Sequence, residues 1–239
     1  QPLVGGIYAS DPETLSLAAT MPRFLELERK QRSVIWAMWS ERQRRSRNRQ
    51  TGSGARWGLF VTLAGGMQEL TDAIASRFPE GTLRLGTQVT SLERNASTGT
   101  WTFGAGDGGR FEADGVILAT PAYRSAAILM SGATELAHDL RKIPYASTAT
   151  VSLAYRKEDV SRGLDSFGFV VPSIESRKIM ACTFSSLKYA GRAPEDCVLL
   201  RAFVGGALQP SLFEDGDETM ESNVRQELAS LLGVTAAPL

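Results

Sequence analysis

Histidine and cysteine are scarce in this sequence: its 239 residues include one histidine, His138, and two cysteines, Cys182 and Cys197. These residues are too scattered for a zinc-binding motif, and a Ser-His-Asp triad would have only one histidine to use. We therefore expect no metal site. Two cysteines give no disulfide framework, and no signal-peptide pattern precedes them, which favours a reducing compartment. We expect a cytoplasmic protein.

An excess of charge of either sign is also missing, because 26 basic residues balance 26 acidic ones. A net charge of zero gives no electrostatic bias towards nucleic acid, and we expect no nucleic-acid partner. No segment approaches the roughly 18 consecutive apolar residues that a membrane-spanning helix needs. Peripheral association with a membrane is left open. The hydrophobic content of 43% is enough for one large core or two smaller ones.

Helical patterning dominates the first part of the chain. Asp11 is a plausible N-cap, and Pro12 fits the first helical turn, where its missing N–H costs nothing. The apolar spacing predicts helices near 11–20, 22–30 and 31–42. Five arginines follow between residues 42 and 49, with no aromatic residue among them. This run favours a mobile, solvated loop, and a patch that binds phosphate or lipid headgroups is the alternative.

Short strand patterns separated by turns begin near residue 59. "LFVTL" is typical of a strand, "MQELTDAIASRF" of a helix over 67–78, and further strands are predicted near 83–85, 88–93 and 100–103. The stretch "GAGDGG", residues 104–109, has the Gly-x-Gly-x-x-Gly spacing of a phosphate-binding loop. A strand pattern and not a helix follows it, so we interpret it as a hairpin turn.

The continuous apolar run "GVILAT", residues 115–120, is typical of a strand that is covered on both faces in a parallel α/β sheet. It ends at Thr120-Pro121, and such sheets place ligands beyond the carboxyl ends of their strands. Any buried strand can end in this way, so the pattern alone leaves a ligand site and a structural strand as equal alternatives.

The last third again has strand patterns: "STATVSLAYRK", "SFGFVVPS", "KIMACTFSS" and "CVLLRAFVGG" predict a mostly antiparallel sheet. If the second and third strands pair in an even register, Gly168, Val170, Met180, Cys182 and Phe184 share one face. An apolar face opened by a glycine suits a broad, flat ligand, and a plain core face is the alternative. A helix is expected from about residue 219, unfinished at the end of the chain.

Four stretches together resemble one known family. "GGIYASDPETLSL", "FVTLAGGMQEL", "DGVILATPA" and "FGFVVPS…ACTFSS" occur in the order and spacing of the FAD-dependent protoporphyrinogen oxidases, which are members of the flavin amine oxidase superfamily. The resemblance implies an FAD-dependent oxidoreductase that converts protoporphyrinogen IX to protoporphyrin IX in haem biosynthesis, with molecular oxygen as the electron acceptor.

The resemblance also implies a fold class and a domain organisation. We expect an α/β fold of mixed α+β character, from a two-domain flavoprotein. Residues 1–57 would form the helical part of the substrate domain and 58–130 part of the FAD-binding domain. Residues 131–218 would form the sheet of the substrate domain, and 219–239 the start of a helix. The family's dinucleotide-binding loop and its C-terminal segment have no counterpart here, so the chain resembles a central portion that is inactive alone.

Several positions carry expected roles through the resemblance. Val89 matches a strand residue whose main chain meets the adenine of FAD, and Thr120 and Pro121 match a turn near the cofactor. Substrate contacts are expected from the "FGFV" and "ACTF" strands, at Gly168, Phe169, Val170 and Phe184. No catalytic acid or base is nominated, because the flavin carries the redox chemistry.

Three alternatives remain at this point. The same fold could oxidise coproporphyrinogen III to coproporphyrin III, a substrate with more carboxylates. The chain could belong to a related amine oxidase or desaturase, or to a non-catalytic module derived from a flavoprotein. A homodimer is left open.

Overall fold

The computed structural model describes residues 8–48, 61–214 and 216–239. The chain divides into two compact units, Gln1–Ala64 with Ala146–Leu239 and Gly65–Tyr145. The boundaries of the inserted unit thus fall at 64/65 and 145/146, whereas the sequence placed its domain boundaries at 57/58 and 130/131.

The described residues form short helices and two antiparallel sheets, so the mixed α and β character is confirmed. The α-helices of the described residues that have four or more residues are α1 (Leu17–Thr20), α2 (Pro22–Gln31), α3 (Val34–Asn48), α4 (Gln68–Ala75), α5 (Ala122–Leu129), α6 (Thr134–Arg141), α7 (Ser185–Lys188) and α8 (Gly216–Leu232). The strands are β1 (Val89–Arg94), β2 (Trp101–Ala105), β3 (Arg110–Ala113), β4 (Thr148–Arg156), β5 (Gly168–Val170), β6 (Ala181–Phe184) and β7 (Cys197–Gly205).

The first helix begins later than the Asp11-Pro12 pattern predicts. The Asp11 carboxylate accepts the Glu13 N–H at 2.9 Å and stabilises a turn, not a helix. Ser16 is the N-cap instead, because its hydroxyl accepts the Ala19 N–H at 3.3 Å, and α1 follows. The two capping residues lie five positions apart, and the second one starts the helix.

The third helix is longer than predicted. Arg32 has a left-handed conformation, with φ of 58°, which ends α2. Ser33 then accepts the Trp36 N–H at 3.3 Å, and α3 continues to Asn48. The prediction of a solvated loop from Arg42 is therefore wrong for residues 42–48, since they are helical. Residue 49 and the rest of the stretch to 60 lie outside the described residues.

The larger sheet has the strand order β4-β7-β6-β5 and packs one face against α8. Buried residues alternate along β4 and β7, as expected for strands with one covered face. The core combines the inner sheet residues Leu153, Tyr155, Cys182, Phe184, Val198, Leu200, Ala202 and Val204 with Met220, Val224, Leu228 and Leu232 of α8.

The smaller sheet belongs to the inserted unit and has the order β1-β2-β3. Its second core places Leu92 of β1 against Ala126, Leu129 and Ala137 of α5 and α6. The predicted hairpin at 104–109 is confirmed, because β2 and β3 pair antiparallel across it and Gly108 has φ of 85°.

Three predicted strands are absent from the sheets. Residues 61–63, 83–85 and 115–120 have no strand assignment, and 59–60 lie outside the described part. Ile117, in the middle of "GVILAT", is 93% exposed. Leu118 packs against the core of the inserted unit, but the exposure of Ile117 shows that the apolar run is not covered on both faces, and it has no strand partner. The prediction of a buried parallel strand is wrong for this chain as it stands.

The last helix begins and ends within the chain. It spans Gly216–Leu232, and Gly233, with φ of 73°, follows it as a left-handed terminating residue. Beyond it, the Leu239 N–H donates to the Ala154 C=O at 2.9 Å. The expectation of an unfinished helix is wrong. Among the helices of the described residues, none is both long and apolar enough to cross a bilayer.

Candidate functional site

The outer face of the larger sheet is the surface that carries part of the predicted substrate site. In antiparallel pairs, directly opposed residues lie on the same face, and the register therefore defines this surface. We call it the open face, because none of its central residues is buried. It consists of Thr148, Thr150, Ser152 and Ala154 of β4, Leu199, Arg201 and Phe203 of β7, Ala181 and Thr183 of β6, and Gly168 and Val170 of β5.

The register separates the four predicted substrate residues. Gly168 pairs with Thr183 and Val170 with Ala181, so the even register that would place Cys182 and Phe184 beside Val170 is not formed. Phe184 therefore lies on the face opposite to Val170. It is 3% exposed, and its ring centroid is 6.1 Å from that of Phe169 in the core. The structure brings Gly168 and Val170 together on the open face and places the two phenylalanines beneath it.

Gly168 has a backbone reason to be glycine. Its φ is 138°, and a Cβ there would overlap the Cys182 C=O of the neighbouring strand. Only glycine combines this conformation with so close an approach of two backbones. The glycine that was expected to open this face for a ligand is thus also required for the close packing of β5 against β6.

Two open-face residues that sequence reasoning did not single out lie on the central strand β7. Arg201 pairs with Ser152 on one side and Thr183 on the other, and its Nε donates to the Ser152 hydroxyl at 3.2 Å. Phe203 pairs with Ala181, in the same row as Val170. One arginine within the otherwise apolar run "VLLRAFV" is the signal that could have identified β7 as a functional strand.

Val89 lies at the start of β1, an edge strand of the smaller sheet. The Gln88 C=O accepts the Gly106 N–H at 2.8 Å and therefore points towards β2. Consecutive strand residues direct their backbone groups to opposite sides, so the Val89 N–H and C=O face away from β2. Recognition of an adenine ring by the main chain needs such outward groups, and the residue fits FAD in this respect. Its role stays a prediction.

Thr120 and Pro121 form a turn that side chains hold from two directions. The Thr120 hydroxyl lies 2.7 Å from that of Ser125, which is 5% exposed. Pro121 precedes α5 but has no side-chain oxygen to cap it, and the Tyr145 hydroxyl accepts the Ala122 N–H at 2.8 Å instead. The turn is thus fixed in place, which suits a position close to a rigid cofactor. Contact with the cofactor stays a prediction.

A cavity of about 490 Å³ lies elsewhere in the larger unit, between the loop at 9–13, the loop at 171–180 and the end of β7. An ion pair anchors its second loop to α8, because Arg177 Nη1 lies 2.9 Å from Glu227 Oε2. The Glu227 side chain is 12% exposed, and its other oxygen accepts the Lys178 N–H at 2.9 Å. None of the predicted site residues lines this cavity, so it is distinct from the open face.

The two cysteines are poor nucleophiles. Burial raises the pKa of the Cys182 thiol to about 12, so it stays protonated at neutral pH. The pKa of Cys197 is also raised, by burial and by the neighbouring Asp196 carboxylate. Their environment supports a structural role and no thiol chemistry.

The comparison with known proteins identifies the family. A family model described as "Flavin containing amine oxidoreductase" matches residues 1–239. The chain belongs to this family, whose members are oxidoreductases, and FAD is the cofactor that the family implies.

Individual relatives are more specific. The chain is 32% identical over 238 residues to the coproporphyrinogen III oxidase of Bacillus subtilis, covering all of this chain and 49% of that protein. It is 28% identical over 257 residues to the mitochondrial protoporphyrinogen oxidase of Nicotiana tabacum, covering 99% of this chain and 51% of that protein. A crystal structure of a candidate protoporphyrinogen oxidase from Exiguobacterium sp. 255-15 superposes with a TM-score of 0.78 at 28% identity, covering 99% of this chain and 48% of that one. The chain spans about half the length of the curated relatives it matches.

Proposed function

We propose that the full-length enzyme containing this chain oxidises a porphyrinogen to the corresponding porphyrin. The observation that carries the proposal is the open face. It presents small and apolar residues, Gly168, Ala181, Val170 and Phe203, side by side on an unburied sheet surface that suits a broad macrocycle. The names of the relatives support the same substrate class.

In the proposed reaction, the residues of this chain bind and orient the cofactor and the macrocycle. When bound, FAD accepts hydride equivalents from the macrocycle, and oxygen is the proposed final acceptor. The outward main chain of Val89 would hold the adenine, and the turn at Thr120-Pro121 would lie close to the cofactor. Val170 would form part of the wall against which the macrocycle rests. No side chain of the chain is assigned a proton-transfer role.

Two substrates are candidates within this class. Coproporphyrinogen III is favoured by the Bacillus subtilis relative at 32% identity. Protoporphyrinogen IX is favoured by the Nicotiana tabacum relative at 28% identity. The two molecules differ in the number of carboxylates, so a direct comparison of their rates assigns the substrate.

The test uses the full-length protein, purified and desalted. We expect a yellow protein with bound flavin that generates porphyrin fluorescence from freshly reduced coproporphyrinogen III or protoporphyrinogen IX in the presence of oxygen. Under anaerobic conditions, the porphyrinogen should bleach the flavin absorbance. A flavin-loaded protein that oxidises neither porphyrinogen above the spontaneous rate would refute the proposal.

A further inference from the structure

Arg201 is the charged residue at the centre of the open face. It lies on β7, the strand flanked by β4 and β6, and is exposed to solvent. The hydrogen bond from Nε to the Ser152 hydroxyl orients the guanidinium across the neighbouring strand. Its neighbours along β7 on the same face of the sheet, Leu199 and Phe203, are apolar and half-buried.

The charge of Arg201 has no acidic partner among the residues that the structure describes. Arg156 lies at the end of the edge strand β4, and it forms an ion pair with Asp196. Around Arg201 the open face offers hydroxyl and apolar side chains only, from Thr150, Ser152 and Thr183. A guanidinium in such surroundings is complementary to an anion that arrives from outside the described chain.

The geometry of the donor group defines the kind of anion. A guanidinium presents planar, forked N–H groups that match a carboxylate through two parallel hydrogen bonds. One of its five N–H donors is engaged by Ser152, which leaves the terminal nitrogens for a ligand. A carboxylate on a flat, largely apolar molecule would satisfy both the cation and the surface around it.

The position of Arg201 relative to Val170 fits a ligand with a broad ring. Across the sheet, Val170 is aligned with Ala181 and Phe203, and Gly168 is aligned with Thr183 and Arg201. Arg201 is therefore two strands away from Val170 and displaced from it by two residues along the strand direction. Strand and residue spacings place their Cα atoms about 12 Å apart. A tetrapyrrole ring lying against Val170 and Phe203 would extend a carboxylate side chain to Arg201.

We infer that Arg201 is a substrate-binding residue that holds one carboxylate of the porphyrinogen on the open face. The inference rests on the proposed function, since it takes the ligand of this face to be a carboxylated tetrapyrrole. It deepens that function by naming a cation of this chain that recognises the acid side chains. Arg201 would contact a peripheral carboxylate and not the carbons that are oxidised.

The experiment compares variants of the full-length, flavin-loaded enzyme. Arg201→Leu removes the charge, Arg201→Lys keeps the charge without the fork, and Arg156→Leu is the matched control because it removes an arginine from the end of the same sheet. The binding probes are coproporphyrin III and its tetramethyl ester, solubilised in the same detergent and titrated by fluorescence. Circular dichroism and flavin content verify the folding of each variant.

For Arg201→Leu, we expect coproporphyrin III to bind about tenfold more weakly, as for loss of a hydrogen-bonded charged contact near solvent. The ester should bind to wild type and variant within twofold, because it has no carboxylate. Arg201→Lys should recover part of the loss, and Arg156→Leu should bind like wild type. In turnover, Arg201→Leu should raise KM with little change in kcat.

Three results of the binding titrations would overturn the inference. They are an unchanged affinity of Arg201→Leu for coproporphyrin III, an equal loss for the acid and the ester, and an equal loss in Arg156→Leu. A wild-type enzyme that oxidises porphyrinogens while Arg201→Leu keeps the wild-type KM refutes the role of Arg201 alone. A wild-type enzyme that binds porphyrins as expected but oxidises no porphyrinogen refutes the proposed function alone, and one that neither binds the probes nor oxidises a porphyrinogen overturns both.

Discussion

Replacement of Phe184 by alanine distinguishes a core position from a pocket wall. Phe184 is 3% exposed and packs against Phe169 in the cluster between the larger sheet and α8. Truncation of a buried phenylalanine removes its apolar contacts and leaves a cavity, which costs about 3–5 kcal/mol of unfolding free energy. Val170, on the open face, is only half-buried, and Val170→Ala should cost about 1 kcal/mol or less.

The assay measures both stability and substrate binding in the full-length enzyme. Denaturant unfolding, followed by circular dichroism, should give a lower midpoint for Phe184→Ala than for Val170→Ala. Among folded molecules, Phe184→Ala should keep the wild-type affinity for coproporphyrin III, whereas Val170→Ala should weaken it. A Phe184→Ala enzyme with wild-type stability and a raised KM would show that the ring contacts substrate and that its placement in the core is wrong.

Three further predictions concern stability. Gly206→Ala should lower the unfolding midpoint, because φ is 87° and the new Cβ would lie 2.8 Å from the Ala9 C=O; an unchanged midpoint would contradict the close packing. Glu227→Gln should cost about 1–3 kcal/mol by breaking the half-buried pair with Arg177, and unfolding that matches wild type would exclude this anchor. The raised pKa of Cys182 means that, between about pH 9 and about pH 12, the unfolded state ionises this thiol and the folded state does not. Stability from this group should be constant below pH 9 and fall by about 1 kcal/mol per pH unit up to about pH 12, with a shallower decline in Cys182→Ala.

The antiparallel strands and the last helix could be predicted because the spacing of apolar residues along each segment indicates its secondary structure. Along β4, and between Val198 and Val204 of β7, more buried residues alternate with less buried ones, which makes the strand period visible in the sequence. The hairpin at 104–109 was predictable because a strand pattern follows its glycines. The start of α1 was not, since Asp11 and Ser16 are both good capping residues and only the folded chain shows which one stabilises a turn.

"GVILAT" shows a limit of a different kind. Its apolar composition signals a strand covered on both faces, but composition does not provide the neighbouring strands that a ladder needs. In the described structure Ile117 is almost fully exposed and the segment has no strand partner. The prediction of a ligand site at Thr120-Pro121 thus depends on the family and on the fixed turn, and not on an observed sheet edge.

The composition of the candidate site depends on a register that alternation could not determine. β6 reads Ala181-Cys182-Thr183-Phe184, with small or apolar residues at both parities, so neither face is excluded by polarity. The 171–180 connection settles the alignment, because the Val171 N–H donates to the Met180 C=O at 2.8 Å. A shift by one residue exchanges the faces and replaces Cys182 and Phe184 beside Val170 by Ala181 and Thr183. The face that Val170 shares is consequently more polar than the sequence predicted, and the same row of pairs that brings in Thr183 also brings in Arg201.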